Sequence, residues 1–293
     1  MASVRLLRGI VIETLPNCDN SKRRFIYDEQ GLNKRLVSAN TSESMKNQTL
    51  FSIFMVAALS FVSKASAAPL LLEGGASPAT VLELYTSQGC SSCPPAERWL
   101  SSFVDEPSLW RDIIPINFHV DYWDYLGWKD PFARAEFSKR QRNYQQLGHT
   151  RNVATPGFVV NGKGWNGWFR QKSVPHQPGL VKIDLKAVID SHRVNVTFDA
   201  TGKRRARVHV AILGFGIKTP IKHGENRGLE LVHDFVVVGY ENRLLKGDNG
   251  KFSADLRLPT IFPGLSNPER QSIVVWVSEQ SDVAPIQVIA GWL

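Results

Sequence analysis

Residues 81–93 read Val-Leu-Glu-Leu-Tyr-Thr-Ser-Gln-Gly-Cys-Ser-Ser-Cys, and this stretch decides the predicted fold. Its first six residues are rich in β-forming types and predict a strand. Pro94 and Pro95 follow, which suit a first helical turn, and apolar residues then recur at helical spacing. Cys90 and Cys93 therefore fall at a junction between a strand and a helix. The positive end of the helix dipole favours a thiolate on Cys90 there.

The composition is that of a globular protein with one large domain or two ordinary ones. The chain has 293 residues, of which 43% are hydrophobic and 21% are charged. The formal net charge is +8, and about half of this excess lies in residues 1–67. The remaining positive excess is small, so we expect no nucleic-acid partner.

Residues 45–67 have the pattern of a secretory signal peptide. A lysine follows Met45, residues 50–62 are mostly apolar, and Ala65-Ser66-Ala67 supplies small residues at a cleavage site. The apolar run is too short to span a bilayer, so we expect a secreted or periplasmic protein without stable membrane insertion after cleavage; a retained anchor is the alternative. Residues 1–44 are interpreted as a non-native or disordered extension.

The rest of the chain divides into two predicted domains. Residues 78–191 alternate strands and helices in the order β-α-β-α-β-β-α, and the last helix is predicted around residues 181–189. Residues 192–293 instead alternate apolar and polar side chains with a period of two. We therefore predict an α/β domain over 78–191, followed by an all-β antiparallel sandwich over 192–293.

The element order, with a CxxC motif at its first strand-to-helix junction, resembles the thioredoxin-like superfamily. The stretch 81–93 looks like the active-site entry of a glutaredoxin or thioredoxin. Thr155 and Pro156 fall where that superfamily places a cis-proline facing the dithiol. The resemblance implies that the backbone of Thr155 offers hydrogen bonds to a substrate peptide beside the cysteines.

Further motifs are similar to a narrower group of uncharacterised secreted bacterial thioredoxin-like proteins. The matching stretches are residues 119–132, 140–141, 155–156 and 224–228. The group usually has tyrosine and glutamine on either side of its Thr-Pro pair, whereas this chain has Ala154 and Gly157. The resemblance implies a fold and a redox-active centre, and it implies no particular substrate.

Thiol–disulfide exchange is the chemistry that the resemblance implies, with protein thiols or disulfides as partners and no cofactor. Cys90 would react first through a mixed disulfide, and Cys93 would resolve it as the Cys90–Cys93 disulfide. One alternative is a non-catalytic binding module in which this disulfide is structural. Another is a copper-handling dithiol with His119 or His149 as a third ligand. Zinc is disfavoured because the chain lacks a second cysteine pair.

Five further residues have both a functional and a structural interpretation. Glu83 is either a proton acceptor beneath the dithiol or a paired glutamate at a sheet edge. Asp121, Trp123 and Trp128 either form the wall of a peptide groove or attach a long loop to the core. His119 ends an apolar strand, and we interpret it as a satisfied core histidine rather than a ligand.

Overall fold

The computed structural model describes residues 68–74, 78–170, 172–175, 184–200 and 205–293, and strands dominate them. The predicted signal peptide at residues 45–67 and the extension at residues 1–44 lie outside the described residues. Within the described ranges, no helix is long and apolar enough to cross a membrane.

The described residues form fifteen strands, two α-helices and three short 3₁₀ helices. The α-helices are α1 (Cys93–Ser101) and α2 (Ala135–Gln146), and the 3₁₀ helices cover Ser102–Asp105, Asp124–Leu126 and Gly167–Arg170. The strands are β1 (Leu70–Glu73), β2 (Thr80–Thr86), β3 (Ile113–His119), β4 (Gly157–Val160), β5 (Lys163–Trp165), β6 (Asp184–Ile189), β7 (Arg193–Asp199), β8 (Ala206–Phe215), β9 (Ile217–Pro220), β10 (Glu230–His233), β11 (Val236–Leu244), β12 (Lys246–Asp248), β13 (Lys251–Arg257), β14 (Arg270–Glu279) and β15 (Pro285–Trp292).

The largest sheet has eight strands in the order β15-β14-β8-β11-β3-β2-β4-β5. Its two halves come from the two sides of the predicted domain boundary after residue 191. They meet where β3 runs parallel to β11, with Asn117 opposite Val236. The main-chain N–H of Asn117 also donates a hydrogen bond to the carbonyl of Phe235 at 2.9 Å. The sheet is therefore continuous across the predicted boundary.

A second sheet has five antiparallel strands in the order β1-β6-β7-β13-β12, and β9 pairs with β10 in a separate two-stranded sheet. Alternate apolar residues of the five-stranded sheet form one core with residues of β8, β11 and β14, among them Phe198, Val210 and Val275. A second core joins the first helices to the large sheet. It includes Leu100 of α1 and Phe137 of α2, together with Trp276 of β14.

The prediction of an α/β thioredoxin-like domain followed by a separate sandwich was wrong. Strands are the commonest element among the described residues, beside two α-helices, and no self-contained α/β core is present among them. The central strands β2 and β3 complete their sheet with β8, β11, β14 and β15. Periodicity along the sequence indicates which residues are buried, but it does not reveal which strands become neighbours.

The predicted closing helix around residues 181–189 was also wrong. Residues 184–189 form β6, which pairs with β1 and β7. Leu185, Ala187 and Ile189 are buried, whereas Val188 is 39% exposed. The apolar residues at 185, 188 and 189 fit a helical face, but the buried set has a period of two. Pairing with two strands therefore overrode the helical pattern.

Candidate functional site

Cys90 and Cys93 form a disulfide between the end of β2 and the start of α1. The main-chain N–H of Cys93 donates a hydrogen bond to the carbonyl oxygen of Cys90 at 3.2 Å. Pro94 and Pro95 occupy the first turn of α1. An intrahelical hydrogen bond is not required of their nitrogens there, so the prolines fix the helix start without cost. The cysteine pair thus lies at the junction that the sequence indicates.

Both cysteines are buried, including Cys90, which the resemblance implies would react first. Cys90 is 1% exposed and Cys93 is 0% exposed, whereas Ser91 and Ser92 between them are exposed. Trp123 packs against Gly89, the residue before Cys90. A Cβ atom added to Gly89 would lie only 3.1 Å from the Cβ of Trp123. Solvent therefore reaches the two serines but not the sulfur atoms.

The segment 224–228, named here the covering segment, bonds the main chain of residues 88–91 around Cys90. The side-chain amide of Asn226 donates hydrogen bonds to the carbonyl oxygens of Gln88 and Cys90, each at 2.9 Å. Glu225 accepts the main-chain N–H of Ser91 at 3.0 Å, and this bond lowers the pKa of Glu225. The sequence analysis found these residues but assigned them to a second domain. Only the tertiary structure brings them to the cysteines.

The Thr155–Pro156 peptide bond is cis, as the resemblance implied. The carbonyl oxygen of Thr155 lies 3.8 Å from the Sγ of Cys90. The indole N–H of Trp123 donates to the Thr155 hydroxyl at 2.7 Å. Thr155 and Trp123 are therefore brought together beside Cys90, while Pro156 follows directly in the chain.

The other two predicted groove residues bond to the surrounding structure. The indole N–H of Trp128 donates to Oε1 of Gln88 at 2.8 Å, two residues before Cys90. The Asp121 carboxylate accepts a hydrogen bond from the Ser138 hydroxyl on α2. These bonds attach the aromatic loop to the site and to α2. A role for Asp121, Trp123 and Trp128 in substrate binding stays a prediction.

Glu83 is bound on both carboxylate oxygens by neighbours from the same core. Arg140 donates to Oε2 at 3.0 Å and to Oε1 at 2.8 Å. Tyr144 donates to Oε1 and Tyr85 to Oε2, each at 2.7 Å. β2 lies inside the large sheet, so Glu83 is a paired, buried glutamate of the sheet interior rather than of an edge.

A different buried carboxylate lies on the cysteine helix itself. Glu97 follows Cys93 by four residues, which places both on one face of α1. Glu97 accepts the hydroxyl of Thr86 at 2.7 Å and bonds Nδ1 of His233 at 2.6 Å. Burial opposes its ionisation, but the charge and hydrogen bond of His233 lower the pKa of Glu97 overall. The sequence analysis missed Glu97 and His233. The four-residue spacing from Cys93 was the available signal for Glu97.

His119 is buried, as predicted, and its Nδ1 bonds Oδ2 of Asp130 at 2.7 Å. Burial opposes a charge on the ring, but Asp130 raises the pKa of His119 overall. Its Nε2 has no hydrogen-bond partner among the described residues, so the histidine is not fully satisfied. His149 instead bonds Asp282, with Nε2 at 3.0 Å from the carboxylate.

Sequence comparison connects this site to a known family. The family described as "Protein of unknown function (DUF1223)" matches residues 81–278, which include the cysteine pair, the cis-proline and the covering segment. The chain belongs to the DUF1223 family. No curated protein matches the chain.

Two solved structures are similar to this DUF1223 protein. The crystal structure of protein AGR_C_4864 from Agrobacterium tumefaciens shares 23% identity over 73% of this chain and 93% of its own, with a TM-score of 0.49. HBP35 of Porphyromonas gingivalis shares 11% identity over 75% of this chain and 76% of its own, with a TM-score of 0.47.

Proposed function

We propose that this DUF1223 protein carries out thiol–disulfide exchange on protein substrates through Cys90 and Cys93. The observation that carries the proposal is the placement of the pair at the start of α1, with the carbonyl of Thr155 3.8 Å from the Cys90 sulfur. The helix terminus stabilises a thiolate, and the thiolate is the reactive form of cysteine.

The exchange proceeds in two balanced steps. In the reducing direction, the Cys90 thiolate attacks a substrate disulfide, forms a mixed disulfide and releases one substrate thiolate. The Cys93 thiolate then attacks the Cys90 sulfur, which restores the Cys90–Cys93 disulfide and releases the second substrate thiol. The substrate gains two electrons and the protein loses two, and the reverse sequence oxidises a substrate dithiol.

The proposal places the activity in the periplasm or outside the cell. Its support is the signal-peptide pattern of residues 45–67 and the even cysteine count that remains after them. In such an oxidising compartment, the partners are the cysteines of other exported proteins.

A structural disulfide in a binding module is the second candidate, and the burial of both cysteines favours it. Cys90 at 1% exposure cannot meet a substrate sulfur unless the structure around it opens. The enzyme therefore requires a local opening, whereas a structural disulfide requires none.

The reduction potential of the pair separates the two candidates. We expect a value in the range of known oxidoreductases, about −120 to −270 mV, in a glutathione-buffered titration of the full chain. The matched control is the Cys90→Ser, Cys93→Ser double variant, which cannot form the disulfide. A potential well below about −300 mV would identify a structural disulfide and reject the enzyme.

A trapping experiment tests the order of attack. In Cys93→Ser the mixed disulfide cannot be resolved, so Cys90 should accumulate a covalent adduct with an added disulfide-bonded peptide. Cys90→Ser should accumulate much less. Equal trapping by both variants would contradict the assignment of Cys90 as the attacking residue.

A further inference from the structure

Three buried side chains, one of them from α1, lie close together in the interior. Glu97 comes from α1, His119 from the end of β3 and His233 from the end of β10. One ligand atom from each lies within 4.8 Å of the others. Both histidines are 0% exposed and Glu97 is 4% exposed. Ligands around a tetrahedral zinc ion with bonds of about 2.0–2.1 Å lie about 3.3 Å apart, so small shifts would close the set.

His119 presents a free nitrogen because Asp130 fixes its other one. Oδ2 of Asp130 also accepts the main-chain N–H of Gln88 at 2.8 Å, and Oδ1 accepts that of Phe132 at 3.0 Å. Asp130 is thus an acceptor on both oxygens, and the His119 proton lies on Nδ1. Nε2 is buried and has no partner in the described part of the chain. A histidine oriented by a carboxylate, with its second nitrogen free, is the usual arrangement of a metal ligand.

The two carboxylates in and beside the cluster could neutralise the charge of a divalent cation. The ion-pair partners given by the structure are His119 for Asp130 and His233 for Glu97. Metal coordination requires neutral imidazole, so the carboxylates of Asp130 and Glu97 would then supply two negative charges to the cluster. Buried charges require compensation, and one divalent ion would neutralise both.

We propose that Glu97, His119 and His233 form a binding site for a divalent transition-metal ion of the Zn²⁺ type. Nε2 of His119, Nδ1 of His233 and one carboxylate oxygen of Glu97 are the ligand atoms. Two imidazoles and a carboxylate are a donor set that such ions prefer. Neither cysteine belongs to the cluster. The site is therefore separate from the proposed exchange chemistry and does not depend on it.

Metal binding requires one rearrangement, around His233. Its Nδ1 now bonds Glu97, and its Nε2 lies 2.8 Å from the Nε2 of Gln88. The Gln88 orientation is fixed because its Oε1 accepts the indole N–H of Trp128. When metal occupies Nδ1, the proton moves to Nε2 of His233, and the Gln88 amide must turn to accept it. Gln88→Glu removes this obstacle, because a carboxylate accepts from both Trp128 and His233.

Calorimetric titration of the full chain with Zn²⁺ tests the proposal, after treatment with a chelator and with the disulfide oxidised. The Cys90→Ser, Cys93→Ser variant is titrated in parallel, so that thiols cannot supply the ligands. We expect one ion per chain in both proteins. We expect at least about 100-fold weaker binding in His119→Gln and in His233→Gln, and about 10- to 100-fold weaker binding in Asp130→Asn, which loosens His119.

The matched control is His149→Gln, which removes a histidine bound to Asp282 outside the cluster. Its Zn²⁺ affinity should equal that of the unsubstituted chain. Co²⁺ should give ligand-field absorption in the visible range that is lost in His119→Gln. The proposal is overturned if the unsubstituted chain binds no stoichiometric Zn²⁺, or if His119→Gln and His233→Gln bind it undiminished.

Gln88→Glu keeps the test decisive if the histidine variants do not fold. It leaves all three ligands in place and should bind Zn²⁺ more tightly than the unsubstituted chain. An unchanged or weaker affinity in a folded Gln88→Glu protein would overturn the proposed ligand geometry at His233. Exchange activity enters none of these readouts, so failure of the metal site and failure of the redox proposal are distinguishable.

Discussion

Asn226 attaches the covering segment to the main chain around Cys90. Its amide bonds the carbonyls of Gln88 and Cys90, and it is 3% exposed. In Asn226→Ala, both carbonyls lose a donor, which should lower the free energy of unfolding by about 1–2 kcal/mol. Because the covering segment then opens more easily, we expect dithiothreitol to reduce the disulfide about tenfold faster, equivalent to about 1.4 kcal/mol.

Stopped-flow measurement of the reduction rate checks this prediction. Asn195→Ala, at an exposed position of β7, is the matched control and should reduce at the original rate. Equal rates in all three proteins would mean that the covering segment does not limit access to Cys90.

Glu83 should contribute to stability rather than to redox chemistry. In Glu83→Gln, Arg140 keeps its buried position but loses its charge partner, so we expect a loss of about 3–5 kcal/mol in urea unfolding. Glu73→Gln is the control, because its ion pair with Lys186 is about half exposed and should contribute less than about 1 kcal/mol. A change above about 30 mV in the reduction potential of a folded Glu83→Gln protein would restore the proton-acceptor interpretation.

Two substitutions in β6 can test whether this segment is a strand or a helix. Leu185 is 0% exposed and Val188 is 39% exposed. This is expected for a strand, because residues three positions apart lie on opposite faces. Leu185→Ala should therefore lower the free energy of unfolding by about 2–5 kcal/mol, and Val188→Ala by less than about 1 kcal/mol.

Urea unfolding of the two variants, measured in parallel, tests this prediction. The predicted helix would have placed Leu185 and Val188 on the same buried face. Similar large losses in both variants would therefore favour the helix and contradict β6.

The continuous eight-stranded sheet predicts that residues 68–191 do not fold alone. β3 would lose its neighbour β11, and the core around α1 and α2 would lose Leu213, Val274 and Trp276. We expect poor amide dispersion in the NMR spectrum of this fragment, and well-dispersed signals from residues 68–293. A cooperative unfolding transition in the short fragment would show that it is an independent domain.

His209 makes the stability of the whole molecule depend on pH. Burial, followed by the charges of Arg140 and Arg207, holds its pKa well below 6.5. The unfolded chain binds a proton on this residue below about pH 6.5, whereas the folded chain does not. The free energy of unfolding therefore falls as the pH drops below about 6.5, by up to about 1.4 kcal/mol for each pH unit.

A comparison with His209→Gln isolates this contribution, because glutamine can still bond the hydroxyls of Tyr240 and Ser278. Between pH 7.5 and 5.5, the unsubstituted protein should lose about 1.4 kcal/mol more than the variant. Urea titrations measure the free energy of unfolding of both proteins at each pH. If both proteins lose the same amount between pH 7.5 and 5.5, His209 is protonated in the folded state.

The sequence by itself determined local features. The strand before Cys90, the helix start beside Cys93 and the strand-forming alternation after residue 192 follow from patterns of neighbouring residues. The position of Thr155–Pro156 relative to the cysteines came from resemblance. These features depend on local secondary-structure propensity and on the spacing of apolar residues, and both can be read from consecutive residues.

Only the tertiary structure decided which segments meet. The large sheet joins β3 to β11, Asn226 reaches Cys90, and His233 reaches Glu97 and the neighbourhood of His119, each across more than a hundred residues. The apolar pattern of β6 also became a strand because β1 and β7 supplied its hydrogen bonds. Strand pairing is a long-range choice among similar apolar segments, and the energy that selects it comes from packing that no local pattern records.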